Sequence, residues 1–261
     1  MSKGMLDLSG KVTVITGGNS GLGLGFARGI AKNGGDVVLW ARNEERNAKA
    51  KAELEQFGVR VATRKVDVAN ESEVLDGYKA VMDEFGRVDA AIANAGWPPT
   101  TRSSFDLTTE HWHEFLGVSL HGAFYTLREA ARLMVQRAEA GEPGGSLIHC
   151  SSLSQFNGLG GKPQYAAAKA GMSAVIRAFA VEFGKYGIRA NNIAPGYIKT
   201  GMTGETEEWS DIDKYMASKT PIPRPGFPAD FEAAVAYLVS DASAYHTGDT
   251  LVIDGAQLIN M

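Results

Sequence analysis

The chain has 261 residues, and 26 lysine and arginine residues against 30 aspartate and glutamate residues give it a formal net charge of −4. This balance lacks the basic excess that binding to nucleic acid or to an anionic membrane requires. A single cysteine, Cys150, excludes an internal disulfide and a cysteine metal cluster, and no apolar run is long enough for a signal peptide or a transmembrane helix, so we expect a cytoplasmic protein with no membrane partner.

The first predicted elements are a short strand and a helix joined by a glycine-rich turn. The run 11–16 is rich in β-branched residues, which is typical of a buried strand. Leu22, Phe26 and Ile30 recur every four residues, which is typical of a helix face. Between them, the stretch 16–23 reads TGGNSGLG. Such a turn brings backbone N–H groups and the positive end of a helix dipole to one place, so the order predicts the first βα unit of a nucleotide-binding fold.

Short apolar runs and helical patterns alternate along the rest of the chain. The predicted strands are 12–16, 36–40, 60–66, 89–93, 146–150, 189–193 and 250–253, and the predicted helices are 21–33, 43–57, 70–85, 108–137, 164–184 and 229–240. This alternation predicts one doubly wound, Rossmann-like α/β domain over 1–261, with a seven-stranded, mostly parallel sheet and helices on both faces. The segment 196–227 is too long for an ordinary connection and is interpreted as a substrate lid or binding loop.

A tyrosine and a lysine stand four residues apart in the helix predicted for 164–184. Tyr165 and Lys169 therefore share one helix face. Apolar residues continue the same spacing, so a core-facing stripe is the alternative interpretation, but lysine is seldom buried without a partner or a function. Ser151 and Ser152 end a predicted strand at its carboxyl end, where open α/β sheets bind their ligands.

Together these features closely resemble the classical short-chain dehydrogenases/reductases, over almost the whole chain. The motifs that carry the resemblance are Thr16-Gly17-x-x-x-Gly21-x-Gly23, Asp67-Val68, Asn94-Ala95-Gly96, Ser152, Tyr165-x-x-x-Lys169, Pro195-Gly196-x-x-x-Thr200 and Gly248-x-x-x-x-x-Asp254-Gly255. The resemblance implies an oxidoreductase that transfers a hydride between a nicotinamide cofactor, NAD(P)(H), and a small alcohol or carbonyl substrate.

The resemblance also implies a cofactor site at the carboxyl ends of the strands. The glycine turn would let the backbone approach the cofactor diphosphate, Asp67 would hydrogen-bond the adenine edge, and the residues after the sixth strand would hold the nicotinamide amide. The implied cofactor-binding residues are Gly17, Asn19, Ser20, Gly21, Leu22, Gly23, Arg42, Asp67, Val68, Asn94, Ala95, Gly96, Tyr165, Lys169, Pro195, Gly196, Ile198 and Thr200.

Four residues have implied catalytic roles. Tyr165 would be the general acid in carbonyl reduction and the general base in alcohol oxidation, and Ser152 would hydrogen-bond the substrate oxygen. An ammonium about 4 Å from a phenol stabilises the phenolate form, and Lys169 is the source of such a charge. Ser119 stands where the family usually has an asparagine that organises a water beside the lysine, so it is a candidate for the proton relay. A smaller departure is Ala256, where the family pattern commonly has a second glycine.

The residue after the second strand bears on the choice between NADP(H) and NAD(H). Family members that use NAD usually have an acidic residue there, but this chain has Ala41 followed by Arg42. A guanidinium can form charge-assisted hydrogen bonds with a 2′-phosphate. We therefore expect NADP(H) to be preferred, with NAD(H) possible. The alternative is that Arg42 stacks over the adenine or points to solvent.

The substrate itself is not specified by the sequence. Candidate substrate-binding residues, which are largely aromatic, are Ser152, Trp97, Phe156, Tyr197 and Met202. Trp209 and Tyr215, in the segment 196–227, are further candidates for the pocket. Cations that could bind a carboxylate are Arg102, Lys199 and Lys214. His111, His113 and His121 do not share one helix face, so we expect no metal.

Two other functions remain open at this point. One is a dinucleotide-binding sensor or scaffold with little turnover, which the presence of Ser152, Tyr165 and Lys169 disfavours. The other is a sugar-nucleotide epimerase or dehydratase, which the glycine spacing and the absence of an added substrate domain disfavour. The family resemblance also implies a homotetramer, paired through the helices predicted for 108–137 and 164–184.

Overall fold

The sheet observed in a computed structural model, which describes residues 4–200 and 209–260, has the predicted number of strands. Their order is β3-β2-β1-β4-β5-β6-β7, and each neighbouring pair is parallel. The strands are β1 Val12–Thr16, β2 Asp36–Trp40, β3 Val61–Arg64, β4 Ala90–Ala93, β5 Gly145–Cys150, β6 Ile188–Pro195 and β7 Thr250–Ile253. The mostly parallel sheet of the sequence prediction is thus parallel throughout the described chain.

Helices cover both faces of this sheet. They are α1 Gly21–Lys32, α2 Glu44–Leu54, α3 Glu71–Phe85, α4 Thr109–Leu116, α5 Ala123–Glu139, α6 Pro163–Phe183, α7 Asp211–Ser218 and α8 Glu232–Val239. Within residues 4–200 and 209–260, none of these helices has the length and apolar character needed to span a membrane.

Alternating side chains along each strand feed two separate apolar layers, as the period of two in a β-strand requires. On one side, Val38 and Trp40 of β2 pack with α3, α5 and α6. On the other side, Val37 and Leu39 of the same strand pack with α1, α2 and α8. Burial on both faces explains why the strands read as continuous apolar runs. The doubly wound, single-domain fold predicted from the sequence is confirmed.

The helix predicted for 108–137 is interrupted. A π-helical turn, Gly117–Gly122, separates α4 from α5, and α5 continues to Glu139. The two glycines at the ends of this turn lie inside an otherwise helical pattern, and they are the sequence signal that a regular helix prediction overlooked. Single π-helical turns occur frequently at functional sites.

The segment 196–227 is not irregular throughout, as the prediction of a loop had it. It contains α7, and Ile198 and Gly226 form an isolated parallel bridge near its ends. Helix α7 begins with a capping box, in which Ser210 and Asp213 satisfy each other's backbone N–H groups. The pattern Ser-x-x-Asp was readable in the sequence and could have predicted this helix.

Candidate active site

A cleft of about 1270 Å³ opens at the carboxyl ends of the strands. It is lined by the turns that follow β1 to β6 and by the first turns of α6. The predicted catalytic residues Ser119, Ser152, Tyr165 and Lys169 line it together with the predicted cofactor-binding residues Gly17, Asn19, Ser20, Gly21, Leu22, Arg42, Asp67, Val68, Asn94, Ala95, Gly96, Pro195, Gly196, Ile198 and Thr200. The fold thus brings residues from positions 17 to 200 to one place.

The glycine turn presents backbone to this cleft. Gly17 and Gly21 have φ angles of +63° and +53°, a region that favours glycine. The side chain of Ser20, the N-cap residue of α1, makes no capping hydrogen bond, whereas Asn43 and Asn70 cap α2 and α3. An uncapped helix N-terminus with no acidic residue in its first turn suits a diphosphate group.

Gly23 has a different position from the other turn glycines, because it lies behind the turn, outside the cleft lining. A Cβ atom there would be only 2.2 Å from the Gly17 carbonyl oxygen and 2.6 Å from Asn94 Nδ2. Helix α1 therefore packs closely against the turn and against the residues after β4. Gly23 permits the site by packing and makes no direct contact with the cleft.

Thr16 and Asn94 join the ends of β1 and β4 beneath the cleft. The Thr16 hydroxyl accepts the N–H groups of Asn94 and Ala95, each at 3.0 Å. Asn94 Nδ2 in turn donates to the Thr16 carbonyl oxygen at 3.0 Å. These hydrogen bonds fix the separation of the two turns at the centre of the sheet.

At one end of the cleft the lining is basic. Arg42 follows β2, and its Nη1 lies 3.6 Å from Asp67 Oδ2, with the Arg42 side chain 66% exposed. Arg46 and Lys49 of α2 line the same end, and no motif in the sequence marked them. A long, exposed ion pair contributes little to stability, so the guanidinium can exchange partners readily.

At the other end, Tyr165 and Lys169 lie one turn apart on α6, as predicted. Lys169 is buried, its Nζ donates to the Cys150 carbonyl oxygen at 2.6 Å, and the same Nζ lies 5.8 Å from the centroid of the Tyr165 ring. Ser152 follows β5, and its Oγ accepts the N–H of Ser154 at 3.1 Å. Burial raises the pKa of the Cys150 thiol, which fits the packing role expected from the sequence.

Aromatic rings hold Tyr165 from the side of α4. The Phe115 ring is fully buried and makes edge contacts with Trp97, at a centroid distance of 5.3 Å, and with Tyr165, at 6.0 Å. Trp97 also lines the cleft. The tyrosine ring is therefore positioned by packing as well as by its helix.

Ser119 lies in the π-helical turn and is buried. Its Oγ is 3.6 Å from the position that a Cβ atom on Gly96 would occupy, so the hydroxyl lies close to the turn after β4. The π-helical turn thus aims a short polar side chain at the cleft wall in place of the family's usual asparagine.

A buried polar network lies behind Lys169. His149 Nδ1 is 3.0 Å from Asn192 Oδ1, and Ser173 Oγ donates to the Lys169 carbonyl oxygen at 2.8 Å and lies 3.1 Å from Ser151 Oγ. No residue in the described part of the chain hydrogen-bonds to His149 Nε2. Burial, followed by the positive charge of Lys169, lowers the pKa of His149 to about 3. The ring is therefore neutral at physiological pH.

This neutral histidine makes stability depend on pH. In the unfolded chain a histidine titrates near pH 6.5, whereas the pKa of His149 in the folded protein is about 3. Below pH 6.5 the unfolded chain therefore binds a proton that the folded protein does not bind. The free energy of unfolding is thus unaffected by this group above pH 6.5 and falls as the pH drops from 6.5 toward about 3. Within that window each pH unit lowers the free energy of unfolding by about 1.4 kcal/mol, so the total loss at about pH 5 is about 2 kcal/mol. Between about pH 7.5 and 5, we expect urea titrations to show a smaller loss in the free energy of unfolding for His149→Asn than for the parent, and the difference between the two losses should equal this amount. Equal losses in the two proteins would contradict the assignment.

The predicted substrate residues divide into two groups. Trp97, Tyr197 and Ser152 line the cleft, whereas Phe156 is half exposed and lies outside it. Trp209 and Tyr215 are also exposed. Met202 lies outside the described residues. A role for Phe156 in substrate binding stays a prediction.

Several lining residues were missed. They are Pro98, Pro99, Leu153, Asn157, Leu159, Lys162, Met216 and Gln257.

The three cations named as candidates to bind a carboxylate differ in their surroundings. Lys199 is paired with Asp213 at 3.5 Å and Lys214 with Asp211 at 3.9 Å, while Arg102 is exposed. Within residues 4–200 and 209–260, no three His, Cys, Asp or Glu side chains are grouped as metal ligands.

Comparison with known proteins assigns the chain to a family. A family model described as enoyl-(acyl carrier protein) reductase matches residues 17–256. L-rhamnose 1-dehydrogenase (NAD(P)(+)) of Sphingomonas sp. strain SKA58 is 32% identical over 255 residues, which cover 97% of this chain and 98% of that protein. Among solved structures, NADPH-dependent 3-quinuclidinone reductase from Rhodotorula rubra has 34% identity and a TM-score of 0.88 and covers 98% and 94% of the two chains. Levodione reductase has 30% identity and a TM-score of 0.90 and covers 97% and 100%.

The family model and these relatives match nearly the whole chain. The chain belongs to the classical short-chain dehydrogenase/reductase family, as its motifs predicted. Within that family it is an NAD(P)-dependent oxidoreductase.

Proposed function

We propose that this enzyme transfers a hydride between NADP(H) and a small alcohol or carbonyl compound, with Tyr165 as the general acid and base. The observation that carries the proposal is the position of Lys169, whose buried ammonium lies beside the Tyr165 ring in a cleft that also contains Ser152. A buried lysine at this place has a function that packing alone does not supply.

The nicotinamide cofactor, when bound, supplies the hydride in reduction and accepts it in oxidation. In reduction, the Ser152 hydroxyl donates a hydrogen bond to the substrate carbonyl oxygen and orients it. Tyr165 then gives its hydroxyl proton to that oxygen, and the positive charge of Lys169 stabilises the phenolate that remains. In oxidation the same phenolate takes the proton from the alcohol. Ser119, in the π-helical turn, is proposed to take part in the proton relay that returns a proton from solvent to Tyr165 through Lys169.

The basic end of the cleft supports the preference for NADP(H). Arg42, Arg46 and Lys49 present three cations there, against Asp67 and Glu53 in the same lining. A 2′-phosphate carries negative charge and accepts charge-assisted hydrogen bonds from a guanidinium.

The substrate end is largely apolar, with Trp97, Pro98, Pro99, Leu153, Leu159 and Met216 in its lining. Lys162 Nζ donates to the Pro99 carbonyl oxygen at 2.8 Å, and Lys199 has Asp213 beside it. These contacts favour an uncharged carbonyl compound over a carboxylate. Relatives act on a sugar, L-rhamnose, and on a bicyclic ketone, 3-quinuclidinone, by their names. The segment 196–227, with Tyr197 and Met216, is proposed to form the substrate wall.

Aromatic packing between α5 and α6 and an exposed apolar side chain on α6 are the features behind the proposal of a homotetramer. Phe124 and Phe179 lie 6.1 Å apart, Phe179 and Phe183 lie 5.2 Å apart, and Val181 on α6 is 87% exposed. Val181 lies two residues from both Phe179 and Phe183 and therefore on another face of α6, where its exposed apolar side chain is available to a partner subunit. Light scattering at micromolar concentration is expected to give four times the 27.8 kDa of one chain, and a monomer alone would contradict the proposal.

A substrate panel tests the proposed function. Ketones, steroids, sugars and acyl thioesters are each added with reduced cofactor, and nicotinamide absorbance reports turnover. We expect oxidation of the cofactor with at least one uncharged ketone or sugar. Fluorescence that shows cofactor binding without turnover of any class would contradict the proposal and favour a sensor. Conversion of a substrate without net change in absorbance would favour an epimerase.

A further inference from the structure

A buried carboxylate joins the segment after β6 to helix α7. Asp213 is 1% exposed, and its Oδ1 accepts the Tyr197 hydroxyl at 3.0 Å. Its Oδ2 accepts the Ser210 N–H and the Ser210 hydroxyl, each at 2.8 Å, and lies 3.5 Å from Lys199 Nζ. The carboxylate is thus shared between donors on α7 and donors on the segment after β6.

Both elements that Asp213 joins contribute to the cleft wall. Tyr197 follows Pro195 and Gly196, and its N–H donates to Gln257 Oε1 at 3.2 Å. Tyr197, Gln257 and Met216 all line the cleft. Met216 lies three residues after Asp213 on α7, so the two side chains are neighbours on one helix face. A shift of the Asp213 carboxylate would therefore displace both the tyrosine and the methionine.

The hydrogen bonds at Asp213 are of the strong kind, since the acceptor is charged. Hydrogen bonds from Ser210 keep the pKa of this carboxyl below its usual range. Asp211, two residues earlier, provides a contrast. Its side chain is fully exposed, and its ion pair with Lys214 is long, with 3.9 Å between Oδ1 and Nζ. The two aspartates have the same charge and lie on the same helix, but only Asp213 contacts Tyr197 and Lys199 on the segment after β6.

We propose that Asp213 is a positioning residue that holds Tyr197 and Met216 in place as the substrate-binding wall of the cleft. It acts through these two side chains, and the basic end of the cleft, where Arg42 lies, is outside its contacts. The inference rests on the proposed function for its kinetic consequence, whereas the link between α7 and Tyr197 is independent of it.

The test compares Asp213→Asn with Asp211→Asn, which makes the same charge change on the same helix. Hydrogen bonds to a charged group correspond to about ten- to a hundredfold in an equilibrium constant, here that between the held and the displaced wall. With the best substrate of the panel, we expect KM to rise at least about tenfold in Asp213→Asn, with kcat and the Kd for cofactor within about twofold of the parent. Asp211→Asn is expected to match the parent.

Tyr197→Phe removes the hydroxyl that Asp213 accepts and keeps the ring. We expect it to raise KM in the same direction, and the double variant to show less than the product of the two single effects, because the residues act through one contact. Separate effects that multiply would overturn the proposal, and so would an Asp213→Asn variant with unchanged KM or with a weaker Kd for cofactor.

Hydrogen exchange of α7 backbone amides tests the link without any turnover. Tyr197→Phe keeps the capping box of Ser210 and Asp213 and removes only the hydrogen bond between Tyr197 and Asp213, so it is expected to exchange faster than the parent and Asp211→Asn across this helix. Unchanged exchange would overturn the inference even if no substrate were found, whereas faster exchange in an enzyme without turnover would refute the proposed function alone.

Discussion

Tyr165→Phe is expected to fold normally and to lose turnover by a factor of about 10²–10⁴, the usual contribution of general acid–base catalysis. The ring keeps its edge contact with Phe115, so packing on α6 is retained. The variant lacks only the hydroxyl that gives its proton to the substrate oxygen. Binding of cofactor should change little, because Lys169 and the glycine turn are intact.

Two measurements on the same samples check this result: nicotinamide fluorescence on binding and the rate with the best substrate found. Tyr245→Phe is the matched control, since this tyrosine is fully exposed. Lys169→Ala should instead weaken both binding and turnover, because the buried ammonium serves both. If Tyr165→Phe turned over within tenfold of the parent, the acid would have to be sought elsewhere in the cleft.

Arg42→Ala is expected to raise the Kd for NADP(H) by about ten- to a hundredfold, which corresponds to the roughly 1.5–3 kcal/mol of hydrogen bonds to a charged group. The Kd for NAD(H) should change little, because that cofactor lacks the 2′-phosphate. Arg42 is exposed and only loosely paired with Asp67, so a phosphate can take the place of the carboxylate.

Titration of both cofactors against the parent and the variant measures this difference. Arg60→Ala is a suitable control, because Arg60 pairs with Asp36 at the amino end of β2, away from the cleft, whereas Arg42 follows its carboxyl end. An equal or better kcat/KM with NAD, unchanged in Arg42→Ala, would refute the preference for NADP.

The fold was predictable because its strands are buried on both faces. Each strand is a short apolar run, so β1, β2 and β7 were predicted with their observed ends, and β3 with ends one and two residues too long. Helix α7 was missed because its apolar face is short and its signal is a capping box. The π-helical turn was missed because two glycines in a helical pattern do not specify which kind of helix results.

The site was predictable where motifs fix it and unpredictable where tertiary contacts decide. Spacing alone put Tyr165 and Lys169 on one face, but the contact of Lys169 with Cys150 depends on how α6 lies against β5. Lys199 looked available to a carboxylate in the sequence, yet the structure places Asp213 beside it. The exposure of Phe156 depends on the turn after β5, which no periodicity encodes. The cytoplasmic location stays a prediction.

Transfer of deuterium from cofactor to product tests the proposed chemistry most directly. Reduced cofactor carrying deuterium at both hydrogen positions of the reactive carbon of the nicotinamide is mixed with the parent enzyme and the best carbonyl substrate, and the product is examined by mass spectrometry. Direct hydride transfer predicts an alcohol with one deuterium on the former carbonyl carbon, formed by the parent and at a much lower rate by Tyr165→Phe. An alcohol formed at the parent rate without deuterium would contradict hydride transfer between cofactor and substrate in this cleft.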